Sequence, residues 1–227
     1  MSHGIPINNV EAVLFDLDGT LVDTAPDLAC ALNAVLQQQQ LEALPYSVIR
    51  PIVSNGADAL IKFGFGSELP DEQYQTIKSN FIRYYQQNIA AQSILFTGLE
   101  QALQHLEKAE IPWGIVTNKP EYLTRPLLEK MDLYLRAGCI VCGDQVNNPK
   151  PHPEPIYLAC QQLGVLPSNA VYIGDAERDI RSGRLAGLKT IACAYGYIPA
   201  TDDINNWQAD SIMQNSSELL EWLLTLS

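Results

Sequence analysis

Two aspartates lie two positions apart directly after a short apolar run. The run covers residues 12–15, and the sequence DLDGT follows it, with its carboxylates at Asp16 and Asp18. Because side chains alternate along a strand, both carboxylates would lie on one face where the strand ends. Gly19 permits a tight turn there, and Thr20 adds a hydroxyl. Taken alone, the pattern is also compatible with an ordinary turn that carries capping aspartates.

A second acidic segment follows a later apolar run, residues 171–173, and contains Asp175 and Asp179. Open α/β sheets bind ligands at the carboxyl ends of their strands, so the two segments are expected at one edge of a sheet. There Asp16, Asp18 and Asp175 would make an all-oxygen pocket suited to Mg²⁺. Three anions held this closely would repel one another strongly without a cation.

Hydrogen-bond donors occur in two further segments of the chain. Thr117 and Asn118 directly follow the apolar run of residues 113–116, and their hydroxyl and amide groups suit phosphate oxygens. Lys150 lies in a loop, where a lone lysine is usually solvated surface. Prolines at three of the next five positions restrict that loop, and we expect them to hold the ammonium in a fixed place.

Short apolar runs alternate with helical patterns along most of the chain. This alternation predicts an α/β fold with a Rossmann-like, doubly wound parallel sheet. The predicted strands are residues 12–15, 113–116, 139–142, 171–173 and 190–193. The predicted helices between and after them are residues 98–109, 121–131, 154–163, 177–186 and 216–226.

Residues 25–91 differ, because they show helical patterns without a convincing strand. Helices are predicted within 26–39, 47–62 and 71–87. We therefore expect a small all-helical domain inserted after the first strand, in residues 25–91. The α/β core would then consist of residues 1–24 and 92–227.

The composition excludes several classes of partner. Lys and Arg number 14 against 26 Asp and Glu, for a formal net charge of −12. A nucleic-acid binder needs a basic face, and so does a protein that adheres to an anionic membrane. A small anionic substrate remains compatible with this charge, because a bound metal inverts its sign locally.

The five cysteines and the absence of a targeting segment favour a cytoplasmic protein. An odd number of cysteines spread over 227 residues indicates reduced thiols. Cys139 and Cys142 form a CxxC, but no second pair completes a zinc site, so we interpret both as buried strand residues. No apolar run is long enough to span a membrane, and the N-terminus lacks the regions of a secretory signal.

Four segments resemble, in their order and spacing, the motifs of the haloacid dehalogenase superfamily in its phosphatase branch. They are residues 16–20, residues 117–118, Lys150 and residues 174–179. The resemblance spans almost the whole chain. It implies that the inserted helical domain is a cap that closes over the active site, which would exclude water and supply substrate contacts.

The resemblance also implies a role for each acid. Asp16 would attack phosphorus to give an aspartyl-phosphate, and Asp18 would protonate the leaving oxygen and then activate water. Mg²⁺ would be held by Asp16, the backbone carbonyl of Asp18 and Asp175, with Asp179 in support. A dehalogenase of this superfamily lacks the second acid, so Asp18 favours a phosphatase.

Phosphate binding is the role that the resemblance implies for Thr117 and Lys150, and Asn118 is grouped with them. Lys150 would also neutralise the charge of the nucleophile. A carboxylate is a weak nucleophile and needs a nearby cation to offset its repulsion from the phosphate. In the predicted cap, Arg50 is a candidate contact for a substrate carboxylate, because its planar fork suits bidentate binding. A helix-surface arginine is the competing interpretation of Arg50.

Residues 15–24, 116–120 and 150–155 resemble the corresponding stretches of phosphoglycolate phosphatases. Residues 195–198 and 205–210, with Trp113, resemble the related N-acetylmuramic acid 6-phosphate phosphatases of cell-wall sugar recycling. The expected substrate is a small phosphorylated metabolite, either 2-phosphoglycolate or N-acetylmuramic acid 6-phosphate. The alternative activity is that of a sugar phosphomutase, which uses the same motifs, and the expected assembly is a monomer or homodimer.

Overall fold

The computed structural model describes residues 10–227. Residues 1–9, part of the predicted core segment 1–24, lie outside the described residues. The strands are β1 (Ala12–Phe15), β2 (Val22–Asp23), β3 (Ile94–Leu95), β4 (Trp113–Val116), β5 (Cys139–Val141), β6 (Ala170–Gly174), β7 (Lys189–Cys193) and β8 (Ser211–Met213). The α-helices are α1 (Ala25–Gln38), α2 (Tyr46–Ile49), α3 (Gly56–Phe65), α4 (Asp71–Gln87), α5 (Leu99–Lys108), α6 (Glu121–Lys130), α7 (Glu154–Leu163), α8 (Glu177–Ala186) and α9 (Ser216–Leu223). Short 3-10 helices cover Arg50–Asn55, Pro167–Asn169 and Ile204–Trp207.

A six-stranded parallel sheet forms the centre of the fold, in the order β5-β4-β1-β6-β7-β8. The chain builds β4 and β5 on one side of β1 and then crosses to build β6, β7 and β8 on the other. This change of direction is the point where α/β sheets bind ligands. The predicted doubly wound fold is confirmed, and the carboxyl ends of β1, β4 and β6 lie side by side.

Alternate residues of β1 enter two separate apolar clusters, which shows that helices cover both faces of the sheet. Val13 and Phe15 belong to the larger cluster, while Ala12 and Leu14 pack with Ile156 of α7 and its neighbours. All four β1 residues are fully buried. A strand that is buried on both faces has apolar residues at every position, and residues 12–15 show this pattern in the sequence.

The segment between β2 and β3 contains α1–α4 and one short 3-10 helix, joined by loops. Here α1 packs against α4 through an apolar face that includes Leu32 and Leu36 on α1 and Phe81 on α4. The chain enters and leaves this segment through an antiparallel ribbon, in which Val22 pairs with Leu95. We refer to residues 25–91 as the helical insertion.

The prediction that Cys139 and Cys142 are buried is confirmed, but β5 ends at Val141, so Cys142 follows the strand. Burial raises the pKa of both thiols, to about 12 and about 11. Unreactive packing residues have this character. Within residues 10–227, none of the helices combines the length and the apolar character needed to cross a bilayer.

Candidate active site

Asp16 and Asp18 lie where β1 ends and turns. The Asp16 backbone continues the sheet, since its N–H donates to the Ile173 carbonyl at 2.8 Å. Gly19 then adopts a φ of +91°, and a Cβ at that position would lie 2.2 Å from Asp175 Oδ2. Only glycine fits this close approach, and the turn therefore brings the ends of β1 and β6 together.

Lys150 lies at the centre of the site and is almost fully buried. Its Nζ is 2.8 Å from Asp16 Oδ1 and 2.7 Å from Asp179 Oδ1. The same atom lies 2.9 Å from the Val116 carbonyl and 2.7 Å from the Tyr172 hydroxyl. Burial lowers the pKa of Lys150, but the two carboxylates outweigh it, so the pKa is raised and the ammonium stays charged.

Asn118 fixes the loop that carries Lys150. Its side-chain amide donates to the Lys150 carbonyl at 2.9 Å and accepts from the Lys150 N–H at 3.0 Å. Both polar atoms of the Asn118 side chain are therefore hydrogen-bonded to the backbone of Lys150, and Asn118 is not shown to be free to bind phosphate. Thr117 is buried, lines the cavity at the site, and accepts from the Lys119 N–H at 3.1 Å.

Three carboxylates form a cluster with the donor chemistry that Mg²⁺ requires. One oxygen from each of Asp16, Asp175 and Asp179 lies within 4.8 Å of the others. Burial, followed by repulsion from the neighbouring carboxylates, raises the pKa of Asp16 to about 7 and that of Asp175 to about 6. Lys150 lowers the pKa of Asp16 but does not compensate fully. Buried oxygen donors with this excess negative charge fit a hard divalent cation.

The Asp18 carboxylate is not part of this cluster and contacts different partners. Its Oδ1 accepts from Lys119 Nζ at 2.9 Å and from the Thr24 hydroxyl at 2.5 Å. Asp18 lines the cavity, as does Asp16. The two acids of the DxD pair therefore have separate environments, one beside Lys150 and one beside Lys119.

Asp175 connects the core to the helical insertion. It accepts from the Thr20 hydroxyl at 3.2 Å and from the Tyr197 N–H at 2.8 Å, both in the core. Its third partner is Ser54 of the insertion, whose hydroxyl donates at 2.9 Å. Arg178, near the start of α8, donates to the Ser54 carbonyl at 2.6 Å. These contacts hold the insertion over the strand ends.

Arg50, the candidate substrate contact, has protein partners instead. Its guanidinium donates to the carbonyls of Tyr195 and Gly196, each at 2.9 Å, and lies 4.9 Å from the centroid of the Tyr197 ring. Among the described residues, Arg50 is not part of the cavity wall. Its observed contacts join the insertion to the loop after β7.

A cavity of about 350 Å³ lies between the strand ends and the insertion. Its core wall includes Asp16, Asp18, Thr117, Asn118, Lys119 and Lys150, and its insertion wall includes Leu28, Val53, Phe81, Ile82 and Tyr85. No role was predicted for Lys119 or Tyr85. Lys119 lies in the stretch 116–120 that resembles phosphoglycolate phosphatases, and its position directly after Thr117 and Asn118 was the signal that could have identified it.

The chain matches known proteins over nearly its whole length. The profile of the haloacid dehalogenase-like hydrolase family matches residues 13–193. An N-acetylmuramic acid 6-phosphate phosphatase of Pseudomonas putida is 40% identical over 92% of this chain and 94% of its own length. A phosphoglycolate phosphatase of Xanthomonas campestris is 40% identical over 92% of this chain and 95% of its own length.

Solved structures share the fold. A predicted phosphoglycolate phosphatase from Haemophilus somnus has a TM-score of 0.84 and 27% identity, over 95% of this chain and 98% of that one. A putative β-phosphoglucomutase from Thermotoga maritima has a TM-score of 0.77 and 23% identity, over 96% of this chain and all of that one, which shows the fold alone. With the acidic strand ends and the buried lysine, these matches show that the chain belongs to the haloacid dehalogenase-like hydrolase family, as a phosphoric monoester hydrolase similar to phosphoglycolate phosphatases.

Proposed function

We propose that the chain is a Mg²⁺-dependent phosphatase that hydrolyses a small, carboxylate-bearing phosphate ester through an aspartyl-phosphate. The proposed substrate is 2-phosphoglycolate or N-acetylmuramic acid 6-phosphate. The observation that carries the proposal is the position of Asp16, which faces the cavity while its Oδ1 lies 2.8 Å from Lys150 Nζ. A carboxylate held by a buried ammonium beside a cavity can approach a phosphate dianion without strong repulsion.

In the first half-reaction, a carboxylate oxygen of Asp16 attacks phosphorus while the bond to the ester oxygen breaks. Asp18, on the cavity wall, gives its proton to the leaving oxygen. The Thr117 hydroxyl and the Lys150 ammonium bind the phosphoryl oxygens. The product alcohol then leaves, and Asp16 carries the phosphoryl group.

In the second half-reaction, water attacks the phosphorus of the aspartyl-phosphate. Asp18, now a carboxylate, takes a proton from that water, and phosphate and free Asp16 are released. One positioned group thus serves as acid and then as base. The contact with Lys119 Nζ, 2.9 Å from Asp18 Oδ1, fixes the position of this carboxyl group on the cavity wall.

The acidic cluster supports the proposed metal dependence. Asp16, Asp175 and Asp179 would hold Mg²⁺, with the backbone carbonyl of Asp18 as a further oxygen donor. When bound, Mg²⁺ supplies positive charge that offsets the repulsion between the phosphate dianion and the carboxylates. The Ser54 hydroxyl and the Tyr197 N–H orient Asp175 for this role.

Two observations support the proposed substrate class. The relatives named above are phosphatases of N-acetylmuramic acid 6-phosphate or phosphoglycolate, and both esters carry a carboxylate. The cavity volume of about 350 Å³ is within the range of ligand pockets and admits a group larger than a phosphate ion.

Release of inorganic phosphate from both esters, with Mg²⁺ and after exhaustive chelation, tests the proposal. We expect Mg²⁺-dependent turnover, and a large difference in kcat/KM between the two esters would identify the substrate. Activity that survives chelation would contradict the metal dependence. Turnover that starts only when a hexose bisphosphate is added would indicate a phosphomutase instead of a phosphatase.

A further inference from the structure

Lys119 is a buried cation beside the proposed acid, and the roles assigned above do not use all of its donors. Its side chain is 7% exposed, and within residues 10–227 its Nζ donates to Asp18 Oδ1 at 2.9 Å and has the Tyr85 hydroxyl as a second polar neighbour. An ammonium has three N–H donors. The Tyr85 ring lies beside it, with its centroid 4.7 Å from Nζ. Lys119 therefore retains a donor for a ligand in the cavity that it lines.

Tyr85 carries the second unused donor of the same cavity. It is fully buried on α4, and its hydroxyl is, in the described part of the chain, the one buried side-chain oxygen or nitrogen that meets no hydrogen-bond geometry. Such an atom is rare in folded proteins, because an unmade hydrogen bond is unfavourable once water has been removed. The polar neighbour of the hydroxyl is the Lys119 ammonium, which has no acceptor, so the hydroxyl proton is unused. Burial raises the pKa of Tyr85, so the hydroxyl keeps its proton and can donate.

The other cations near the cavity are held by protein groups. Lys150 contacts four protein oxygens at the nucleophile. Lys78 pairs with Asp58 at 2.6 Å and is partly exposed, while Arg178 donates to the Ser54 carbonyl. Arg50 has its two backbone carbonyls. Of these groups, Lys119 alone combines burial, a free donor and contact with Asp18.

We propose that the Lys119 ammonium and the Tyr85 hydroxyl form the subsite that binds the carboxylate of the substrate's leaving group. The proposal rests on the phosphatase function proposed above. Both groups donate hydrogen bonds, and a carboxylate only accepts them. Asp18 would protonate the leaving oxygen, so a cation 2.9 Å from Asp18 lies on the leaving-group side of the site.

Matched pairs of substrates test this subsite. Ethyl phosphate replaces the carboxylate of 2-phosphoglycolate with a methyl group, and N-acetylglucosamine 6-phosphate lacks the lactyl carboxylate of N-acetylmuramic acid 6-phosphate. We expect the native enzyme to prefer the acid in kcat/KM, and the pair with the larger preference identifies the source of the carboxylate. Lys119→Met should reduce that preference by roughly ten- to a hundredfold, since a charge-assisted hydrogen bond is lost.

Tyr85→Phe is the second variant, because it deletes only an oxygen that has no partner and so preserves the fold. It should raise KM for the acid about fivefold relative to KM for its neutral partner. Tyr84→Phe, one residue earlier on α4 and outside the cavity wall, is the matched control and should leave the ratio at its native value.

Three results would overturn the subsite. In one, Lys119→Met lowers kcat for both members of a pair equally and keeps their ratio, which would show that Lys119 only positions Asp18. In the second, Tyr85→Phe leaves the KM ratio at its native value. In the third, the native enzyme hydrolyses both members equally well, which contradicts the subsite but not the phosphatase function. An inactive native enzyme on all four esters would contradict both proposals.

Discussion

The two walls of the cavity use their polar groups differently. On the core wall, Asp16, Asp18 and Lys150 bind protein partners through short contacts at the ends of adjacent strands. On the insertion wall, Val53 and Phe81 are apolar, and the Tyr85 hydroxyl has no partner among the described residues. Lys119 is the exception on the core wall, because its ammonium keeps an unused donor. A polar network that is already satisfied is rigid, whereas a free donor on either wall can bind a ligand.

This difference assigns separate tasks to the two regions. The core fixes the proposed nucleophile, the acid and the metal ligands before a substrate arrives. The insertion contributes apolar surface to the cavity and, through Ser54, a hydrogen bond to Asp175. We therefore expect substitutions in the core to affect chemistry and charge balance, and substitutions in the insertion to affect closure and substrate preference.

Replacing the proposed nucleophile should produce the largest effect. Asp16→Asn keeps the size of the side chain but removes the attacking carboxylate, so kcat should fall by at least about a thousandfold. Thermal unfolding should show a folded protein, and phosphate release measures the loss. Asp71→Asn, at an exposed position in the first turn of α4, is the control. A kcat within tenfold of the native value would refute the aspartyl-phosphate mechanism.

Removing the central ammonium should weaken both activity and stability. Lys150→Met leaves Asp16 and Asp179 without their shared cation, and breaking a buried ion pair on one side costs about 3 kcal/mol. Urea unfolding without metal measures the decrease in the free energy of unfolding. Lys108→Met, at an exposed position at the end of α5, should change it by less than about 0.5 kcal/mol. Equal stability of native and Lys150→Met proteins would show that the acids do not need this ammonium.

The acidic cluster predicts a pH dependence for the metal-free protein. The folded pKa of Asp175, about 6, exceeds its ordinary value of 3.8, so the folded state binds this proton more tightly than the unfolded state. The contribution of Asp175 to stability is therefore fully present below about pH 4 and is lost as the pH rises through about 6. The Asn side chain of Asp175→Asn does not titrate. As the pH rises from about 4 to about 6, the free energy of unfolding of this variant should therefore rise by roughly 1–2 kcal/mol relative to that of the native protein.

Chemical denaturation in a chelator at several pH values measures that difference. Added Mg²⁺ should stabilise the native protein at neutral pH and stabilise Asp175→Asn less, because a ligand stabilises the state that binds it. A difference between the two proteins that does not change with pH would contradict the charge repulsion inferred for the cluster.

The smallest effect is expected where the insertion meets the core. Arg50→Met removes two hydrogen bonds to backbone carbonyls and the contact with the Tyr197 ring. We expect a loss of about 1 kcal/mol in stability and a change of kcat and KM together, because closure would be weaker. Arg83→Met, whose side chain bonds only Asn80 on the same helix, is the control. An increase in KM for the acid but not for its neutral partner would instead restore Arg50 as a substrate contact.

The sequence was sufficient to predict the core of the fold. Fully buried parallel strands read as short apolar runs, and the predicted residues 12–15 and 113–116 coincide with β1 and β4. The short strands β2, β3 and β8 were not predicted, because two or three residues are too few to show a period. Their pairing depends on contacts distant in sequence.

The site was predictable to the extent that its residues follow strands. Asp16, Thr117 and Asp175 each come directly after a buried strand, and the sheet edge brings them together. Tyr85 has the spacing of an ordinary core residue on α4, four residues after Phe81, so the sequence does not reveal that its hydroxyl lacks a partner. The partners of Arg50 are more than 140 residues away, beyond the reach of local patterns.

The ribbon of β2 and β3 also determines how freely this enzyme can be redesigned. The helical insertion departs and returns through paired strands, where Val22 faces Leu95 and Asp23 faces Ile94. Chain ends at such a pair are only about 5 Å apart. A helical unit whose termini lie that close can therefore be grafted at this position without moving a strand of the sheet. To leave the proposed reaction centre unchanged, the graft must also replace the Ser54 hydroxyl that donates to Asp175.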